Sequence, residues 1–147
     1  MIKGVIFDFN RTLYNPDTNA LNEGALELLE KLASSGYKLC LLSKKSEEER
    51  KDKILRLGIE KYFIFIEVVE GEKTEKNFKK CLEIMALQSQ KVAVIGDRIR
   101  SEIILGNQFG MRTIWYKVGK FAAELPRNKN ENPNFVIDNL LDALKYL

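Results

Sequence analysis

The feature that most constrains the fold is the regular alternation of short apolar runs with amphipathic segments along the whole chain. Short runs rich in β-branched and aromatic residues, bounded by polar residues or glycine, are typical of buried β-strands. They predict strands over residues 3–8, 37–42, 62–69, 91–95, 112–116 and 135–137. The segments between the first five of these runs predict helices, and one carries Phe78, Cys81, Leu82 and Met85 at helical spacing.

Polar residues at the start of the amphipathic segments predict where the helices begin. We expect caps at Asn22, Ser46, Thr74 and Ser101, and a terminal helix from about Asn139. Strands that alternate with helices in this way favour a parallel sheet with helices on both faces. The predicted fold is therefore a three-layer, Rossmann-like α/β sheet, and the length of 147 residues predicts a single domain over residues 1–147.

The composition excludes several classes of protein. The formal net charge of +3, from 24 basic and 21 acidic side chains, is too small to indicate a nucleic acid or membrane partner by itself. No apolar run approaches the ~20 residues that span a bilayer, and no signal peptide precedes the first strand, so we expect a cytoplasmic protein. The chain has no histidine, so carboxylates, lysine or water must carry any acid–base chemistry.

Polar side chains follow three of the predicted strands at the point where each strand ends. Asp8, Ser43 and Asp97 follow the first, second and fourth strands, and Lys73 precedes a helix on the same side. The carboxyl ends of parallel strands form the crevice in which α/β proteins bind ligands. A single aspartate after a strand is ordinarily a turn former or a helix cap. Four polar or charged residues at one edge of the sheet, by contrast, predict a shared site.

The order of these motifs carries a family resemblance. The segments F-D-F-N-R-T-L-Y, L-L-S-K-K, G-E-K-T-E-K-N-F and V-I-G-D-R-I-R-S-E-I resemble, in that order, the haloacid dehalogenase-like (HAD) phosphohydrolase superfamily. The similarity runs over nearly the whole chain. It implies a Mg²⁺-dependent hydrolase, a phosphatase acting on a phosphorylated small molecule or macromolecule.

The resemblance also implies the roles of the acidic residues. Asp8 would be the nucleophile that attacks phosphorus and becomes an aspartyl-phosphate. Asp8 and Asp97 would hold Mg²⁺ together with the main-chain carbonyl of Asn10, since this cation prefers oxygen ligands. Glu102 matches a family acid that is usually aspartate and acts near the metal.

Two further residues would contact the phosphoryl group. By resemblance, Ser43 would donate a hydrogen bond to it, and Lys73 would balance its charge. The family's usual Lys-Pro pair is Lys73-Thr74 here, and Lys76 stands one turn further on as a rival. We favour Lys73 because it lies before the helix begins, where Lys76 is expected to face solvent.

Asn10 departs from the family pattern, in which this position is usually an aspartate that protonates the leaving oxygen. An amide has no transferable proton, and general acid–base catalysis is typically worth ~10²–10⁴-fold, so hydrolysis of alkyl phosphates should be slowed by about that factor. The alternative function is a catalytically weak or inactive HAD-fold module that binds or regulates a partner.

The gaps between the motifs leave no room for a cap domain. Residues 8–43 hold a turn-rich loop and one predicted helix, and residues 43–73 hold one helix and one strand. The resemblance therefore implies a HAD-type core without a cap, whose crevice is open. We expect either a substrate large enough to cover the site or a homo-oligomer in which a neighbouring subunit covers it.

Overall fold

Six parallel strands form the central sheet of the computed structural model, which describes residues 1–44 and 50–147. The sheet strands are β1 (Gly4–Asp8), β4 (Lys38–Lys44), β5 (Phe65–Val69), β6 (Val92–Gly96), β7 (Arg112–Tyr116) and β8 (Phe135–Ile137). Their order across the sheet is β5-β4-β1-β6-β7-β8. This confirms the predicted α/β class, and the bounds predicted for β7 and β8 are those observed.

Both faces of the sheet are buried. Successive side chains of a strand point to opposite faces, so neighbouring residues belong to different apolar clusters. Val5 and Phe7 of β1 belong to one apolar cluster, whereas Ile6 between them belongs to the other. The first cluster packs against α1 (Ala25–Ser34) and a terminal 3₁₀ helix (Leu140–Tyr146); the second packs against α3 (Glu75–Met85). The apolar runs are therefore continuous because each strand is covered on both sides.

Two helix starts differ from the sequence-based expectation. The residue before α1 is Gly24 with φ +82°, because the Asn22 side chain instead donates to the Thr12 carbonyl oxygen at 2.7 Å. The helix predicted to start after Ser101 begins earlier, as a π-helical turn (Ile99–Ile103) that continues into α4 (Ile104–Gln108). Thr74 does cap α3, where the Asn77 side chain accepts a hydrogen bond from the Thr74 amide at 2.8 Å.

The remaining connections are short. The predicted loop after β1 contains a small antiparallel hairpin, β2 (Tyr14–Asn15) and β3 (Ala20–Leu21). The predicted terminal helix is a 3₁₀ helix that Asn139 caps, and α2 covers Arg50–Arg56. Ser46, the cap predicted for α2, lies outside the described residues.

No cap domain is present among the described residues between β1 and α3. Residues 9–37 hold the hairpin and α1, and the described part of residues 45–74 holds α2, a 3₁₀ turn (Glu60–Tyr62) and β5. Within the part of the chain that the structure describes, no helix has the length and apolar composition needed to cross a membrane.

Candidate active site

The central strands bring the predicted residues to one edge of the sheet. Asp8 ends β1 and pairs in register with Leu42 of β4, so Ser43 lies one residue beyond it on the neighbouring strand. Asp97 directly follows β6, the neighbour of β1 on the other side. The strand register therefore places all three residues at the carboxyl edge of the sheet, the usual ligand-binding edge of α/β proteins.

Three carboxylates form a tight buried group at this edge. One ligand oxygen from each of Asp8, Asp97 and Glu102 lies within 4.8 Å of the others. The three residues are at most 5% exposed. Glu102 reaches the group from the π-helical turn, and the Ser101 hydroxyl donates to its Oε1 at 3.0 Å.

Lys73 supplies the positive charge of the group. Its Nζ donates to Asp8 Oδ1 and, at 2.6 Å, to Glu102 Oε1, although the residue is only 8% exposed. Burial alone would lower the pKa of Lys73, but Asp8 and Glu102 outweigh it and raise the pKa above its ordinary value. Lys76 is exposed on α3. The structure thus brings Lys73, and not Lys76, to the carboxylates.

Burial and the proximity of the three carboxylates oppose their ionisation, in spite of Lys73. Burial, reinforced by Asp8 and Glu102, raises the pKa of Asp97 to about 9. Burial and the charge of Asp8 also raise the pKa of Glu102. Asp97 Oδ2 and Glu102 Oε2 are buried without a hydrogen-bond partner among the described residues. Buried carboxylate oxygens with unused acceptor capacity, whose ionisation a nearby positive charge would favour, fit a hard divalent cation.

Thr12 is a site residue that sequence reasoning missed. Its hydroxyl donates to Asp8 Oδ2 at 3.0 Å, so both carboxylate oxygens of Asp8 are held, one by Lys73 and one by Thr12. The turn after β1 makes this contact possible, since the amides of Thr12, Leu13 and Tyr14 all donate to the Phe9 carbonyl. The polar residue four positions after Asp8 was the available signal in the sequence.

Asn10 is among the residues that line the cleft at this edge, whereas Ser43 is not. Asn10 is partly buried and lines the open cleft above the carboxylates, where its side chain offers an amide and no carboxyl group. Ser43 is fully buried, and its Oγ has no hydrogen-bond partner within the described residues.

The rim of the cleft is basic and was also missed. The cleft above the carboxylates is lined by Arg11, Lys44, Arg98, Lys120 and Phe121. Its empty volume, including the part that is open to solvent, is about 790 Å³. The Trp115 indole donates to the Asp97 carbonyl oxygen at 2.9 Å and fixes the backbone beside Arg98. Lys44 ends β4, whereas Arg11, Arg98 and Lys120 come from connecting segments and carry no strand-end signal.

Fold and site together define an α/β protein with a buried acidic cluster at the carboxyl edge of a parallel sheet. The model of the HAD-hydrolase-like family matches residues 72–143. A glyceraldehyde 3-phosphate phosphatase of Pyrococcus furiosus is 33% identical over 128 residues, which are 84% of this chain and 53% of that protein. The chain spans about half the length of this relative and of the Methanopyrus kandleri protein of the same name, which is 29% identical.

Solved structures agree with the fold. An uncharacterised protein from Listeria monocytogenes serotype 4b superposes with a TM-score of 0.77 at 25% identity, covering 99% of this chain and 96% of that one. A HAD phosphatase from Thermococcus onnurineus gives a TM-score of 0.83 at 14% identity, covering 99% and 97%. The chain belongs to the haloacid dehalogenase-like superfamily, as the motifs predicted.

Proposed function

We propose that this protein is a Mg²⁺-dependent phosphatase that forms an aspartyl-phosphate on Asp8. The observation that carries the proposal is the convergence of Asp8, Asp97, Glu102 and Lys73 at one cleft open to solvent. The similarity to proteins named as phosphatases supports the choice of phosphate esters as substrates. The core comprises residues 1–147 as one domain.

The proposed metal site uses Asp8, Asp97 and the Asn10 carbonyl, with Glu102 beside them. The donor set is made of oxygens, and two of its buried carboxylate oxygens have no hydrogen-bond partner among the described residues. When bound, Mg²⁺ acts as a Lewis acid that reduces the repulsion between the anionic phosphoryl group and the nucleophile.

The chain's own residues set up the first chemical step. Thr12 and Lys73 fix the orientation of the Asp8 carboxylate, one of whose oxygens attacks phosphorus while the bond to the leaving oxygen breaks. Lys73 offsets the negative charge of the transferring group, and the Ser43 hydroxyl, which has no other partner among the described residues, donates to one of its oxygens. Water then attacks phosphorus, releases phosphate and restores Asp8.

Asn10 determines how fast each half of this reaction runs. Because its amide cannot donate a proton to the leaving oxygen, esters of good leaving groups react faster than alkyl esters. The lack of a carboxyl group at position 10 also slows activation of the attacking water. The phosphorylated form of Asp8 therefore persists longer than in a chain with a second aspartate. The amide of Asn10 also supports a second candidate function, a weakly active module that binds phosphorylated partners in the same cleft.

The proposal is tested with Mg²⁺-dependent hydrolysis of p-nitrophenyl phosphate and with mass spectrometry after exposure to acetyl phosphate. We expect a single phosphorylation on Asp8, with phosphate release that EDTA abolishes. Asp8→Ala should abolish both signals, whereas Asp52→Ala, which removes an exposed carboxylate on α2, should preserve them. Equal phosphate release by wild type and folded Asp8→Ala would refute the proposed phosphatase. Phosphate-analogue binding without any turnover would favour the binding module.

A further inference from the structure

The cleft is divided by charge into an acidic floor and a basic rim. Asp8, Asp97, Glu102 and Lys73 form the floor, which a divalent cation would neutralise. Four basic residues and one acidic residue line the rim: Arg11, Lys44, Arg98, Lys120 and Glu72. A phosphate monoester needs the floor alone, so the rim has positive charge beyond what the phosphoryl group requires.

Two of the rim cations, Lys44 and Arg11, pair with exposed carboxylates. Lys44 pairs with Glu72 at 2.5 Å, and the hydrogen bond from Lys44 lowers the pKa of Glu72. Arg11 lies 3.9 Å from Asp17, whose side chain is 77% exposed. These pairs satisfy part of the charge, and the wall formed by Arg98 and Lys120, the rim cations that lie over the Phe121 ring, is the strongest candidate for a ligand contact.

Arg98 is held in place without using its terminal nitrogens. Its guanidinium lies over the Phe121 ring, with the central carbon 4.4 Å from the ring centroid. Its Nε donates to Glu124 Oε1 at 3.3 Å, and no other side-chain hydrogen bond joins Arg98 to a described residue. A guanidinium fixed on one face and at Nε presents its two terminal NH₂ groups as a planar fork, the geometry that matches a carboxylate or phosphate.

Glu124 anchors this wall to the active-site backbone. Its Oε2 accepts hydrogen bonds from the amides of Ile99 and Arg100 at 2.8 and 3.3 Å, in the turn that carries Glu102. Lys120 Nζ also lies near Phe121, 5.4 Å from the ring centroid, and forms no ion pair with a carboxylate of the described residues. Arg98 is therefore a fixed cation whose position is tied to the turn that carries Glu102, and Lys120 adds a second, exposed charge beside it.

We propose that Arg98 and Lys120 bind a second anionic group, so that the substrate is a small phosphate monoester that also carries a carboxylate or a second phosphate. Arg98 follows Asp97 directly in the chain and lines the same cleft, which places this second group next to the phosphoryl site. This inference rests on the proposed phosphoryl site and specifies its substrate class. Arg98 would determine specificity by recognising the carboxylate or phosphate as a fork, and Lys120 by adding charge.

The test uses non-hydrolysable probes, because binding can then be measured whatever the turnover rate. Phosphonopropionate, ethylenediphosphonate and propylphosphonate share a two-carbon spacer after phosphorus and differ at the far end, as carboxylate, phosphonate and methyl. Their dissociation constants are measured by calorimetry with saturating Mg²⁺. We expect wild type to bind at least one charged probe about tenfold or more tightly than propylphosphonate. The better of the two charged probes identifies the second group as carboxylate or phosphate.

Arg98→Gln should reduce this preference to about twofold or less, and Lys120→Gln should reduce it in part. Arg112→Gln and Lys3→Gln remove the same charges at the amino edge of the sheet, so they should keep the wild-type preference and control for net charge and chelation of Mg²⁺. Equal affinity of wild type for all three probes, or an undiminished preference in Arg98→Gln, would overturn the inference while leaving the phosphatase proposal intact. Failure of all three probes to bind would overturn the phosphoryl site and this inference with it.

Discussion

The Glu102 side chain lies directly against the backbone of Gly96. A Cβ added at Gly96 would stand 2.6 Å from Glu102 Oε2 and 2.8 Å from Glu102 Cβ. The last residue of β6 must therefore lack a side chain for Glu102 to reach Asp8 and Lys73. Glycine here is needed for close approach, since its φ lies outside the left-handed region.

Gly96→Ala should lower Mg²⁺ affinity because it displaces Glu102 from the carboxylate group. We expect a loss of about 10- to 100-fold, the usual effect of disturbing the residues around a metal site. Calorimetric titration with MgCl₂ measures it. Gly106→Ala is the matched control: its Cβ would stand 2.4 Å from Val94 Cγ1, which overpacks the core away from the cleft. That control should lose stability and keep its Mg²⁺ affinity; similar affinity losses in both would show that packing damage alone is responsible.

Asp97→Asn should stabilise the protein when divalent cations are absent. The raised pKa of Asp97 means that folding opposes its ionisation, so replacing the carboxyl group should increase the free energy of unfolding by about 1–3 kcal/mol at neutral pH. Urea denaturation in EDTA measures this difference. Saturating Mg²⁺ should then stabilise wild type by about 2.7 kcal/mol at 100 times the dissociation constant, and leave the variant unchanged. Asp52→Asn should follow wild type throughout. A variant that is less stable than wild type in EDTA would contradict the repulsion inferred here.

Thr12→Val should slow turnover with little change in KM. Valine keeps the shape of threonine but cannot donate to Asp8 Oδ2, so the nucleophile loses one of its two fixed contacts. We expect kcat for p-nitrophenyl phosphate to fall by about tenfold, a loss of roughly 1.4 kcal/mol. Thr12→Ser retains the hydroxyl and should recover most of the rate. If serine and valine were equally slow, the methyl group rather than the hydrogen bond would be responsible.

Asn10→Asp should raise the hydrolysis of alkyl phosphates by ~10²–10⁴-fold, because it supplies the general acid that the amide lacks. Aryl phosphates should gain less, since their leaving groups depart without a proton. The ratio of alkyl to aryl phosphate hydrolysis is measured from the steady-state rates with glycerol phosphate and p-nitrophenyl phosphate. Asn128→Asp introduces the same charge at an exposed turn and should change neither rate. An unchanged ratio in folded Asn10→Asp would remove the acid–base explanation.

Glu131 should make the fold sensitive to acid. Hydrogen bonds from Arg127, one of them at 2.8 Å, lower the pKa of Glu131 below its ordinary 4.5. A lowered pKa in the folded state means that the stabilisation is complete above pH 4.5 and is lost as pH falls through the lower folded value. Urea midpoints between neutral and acidic pH should therefore decline less steeply in Glu131→Gln than in wild type. Parallel declines would show that other carboxylates control acid unfolding.

The strands and the edge that carries the site were predictable from sequence for a simple reason. A strand buried on both faces must be largely apolar, so β1 and β6 are visible as apolar runs, and Asp8 and Asp97 at their ends mark one edge. Helix starts were less predictable because capping side chains also form distant contacts, as Asn22 does with Thr12.

The sequence by itself determined the parallel α/β architecture and the placement of Asp8, Ser43 and Asp97, because both follow from local apolar patterning and the direction of the strands. The sequence favoured Lys73 over Lys76, but only the tertiary structure shows that Lys73 contacts the carboxylates and that Arg98 is fixed by Phe121 and Glu124. Lys73 and Asp8 are 65 residues apart, and Arg98 and Glu124 are 26 apart. Such contacts depend on how loops pack across the sheet edge, which no local pattern records.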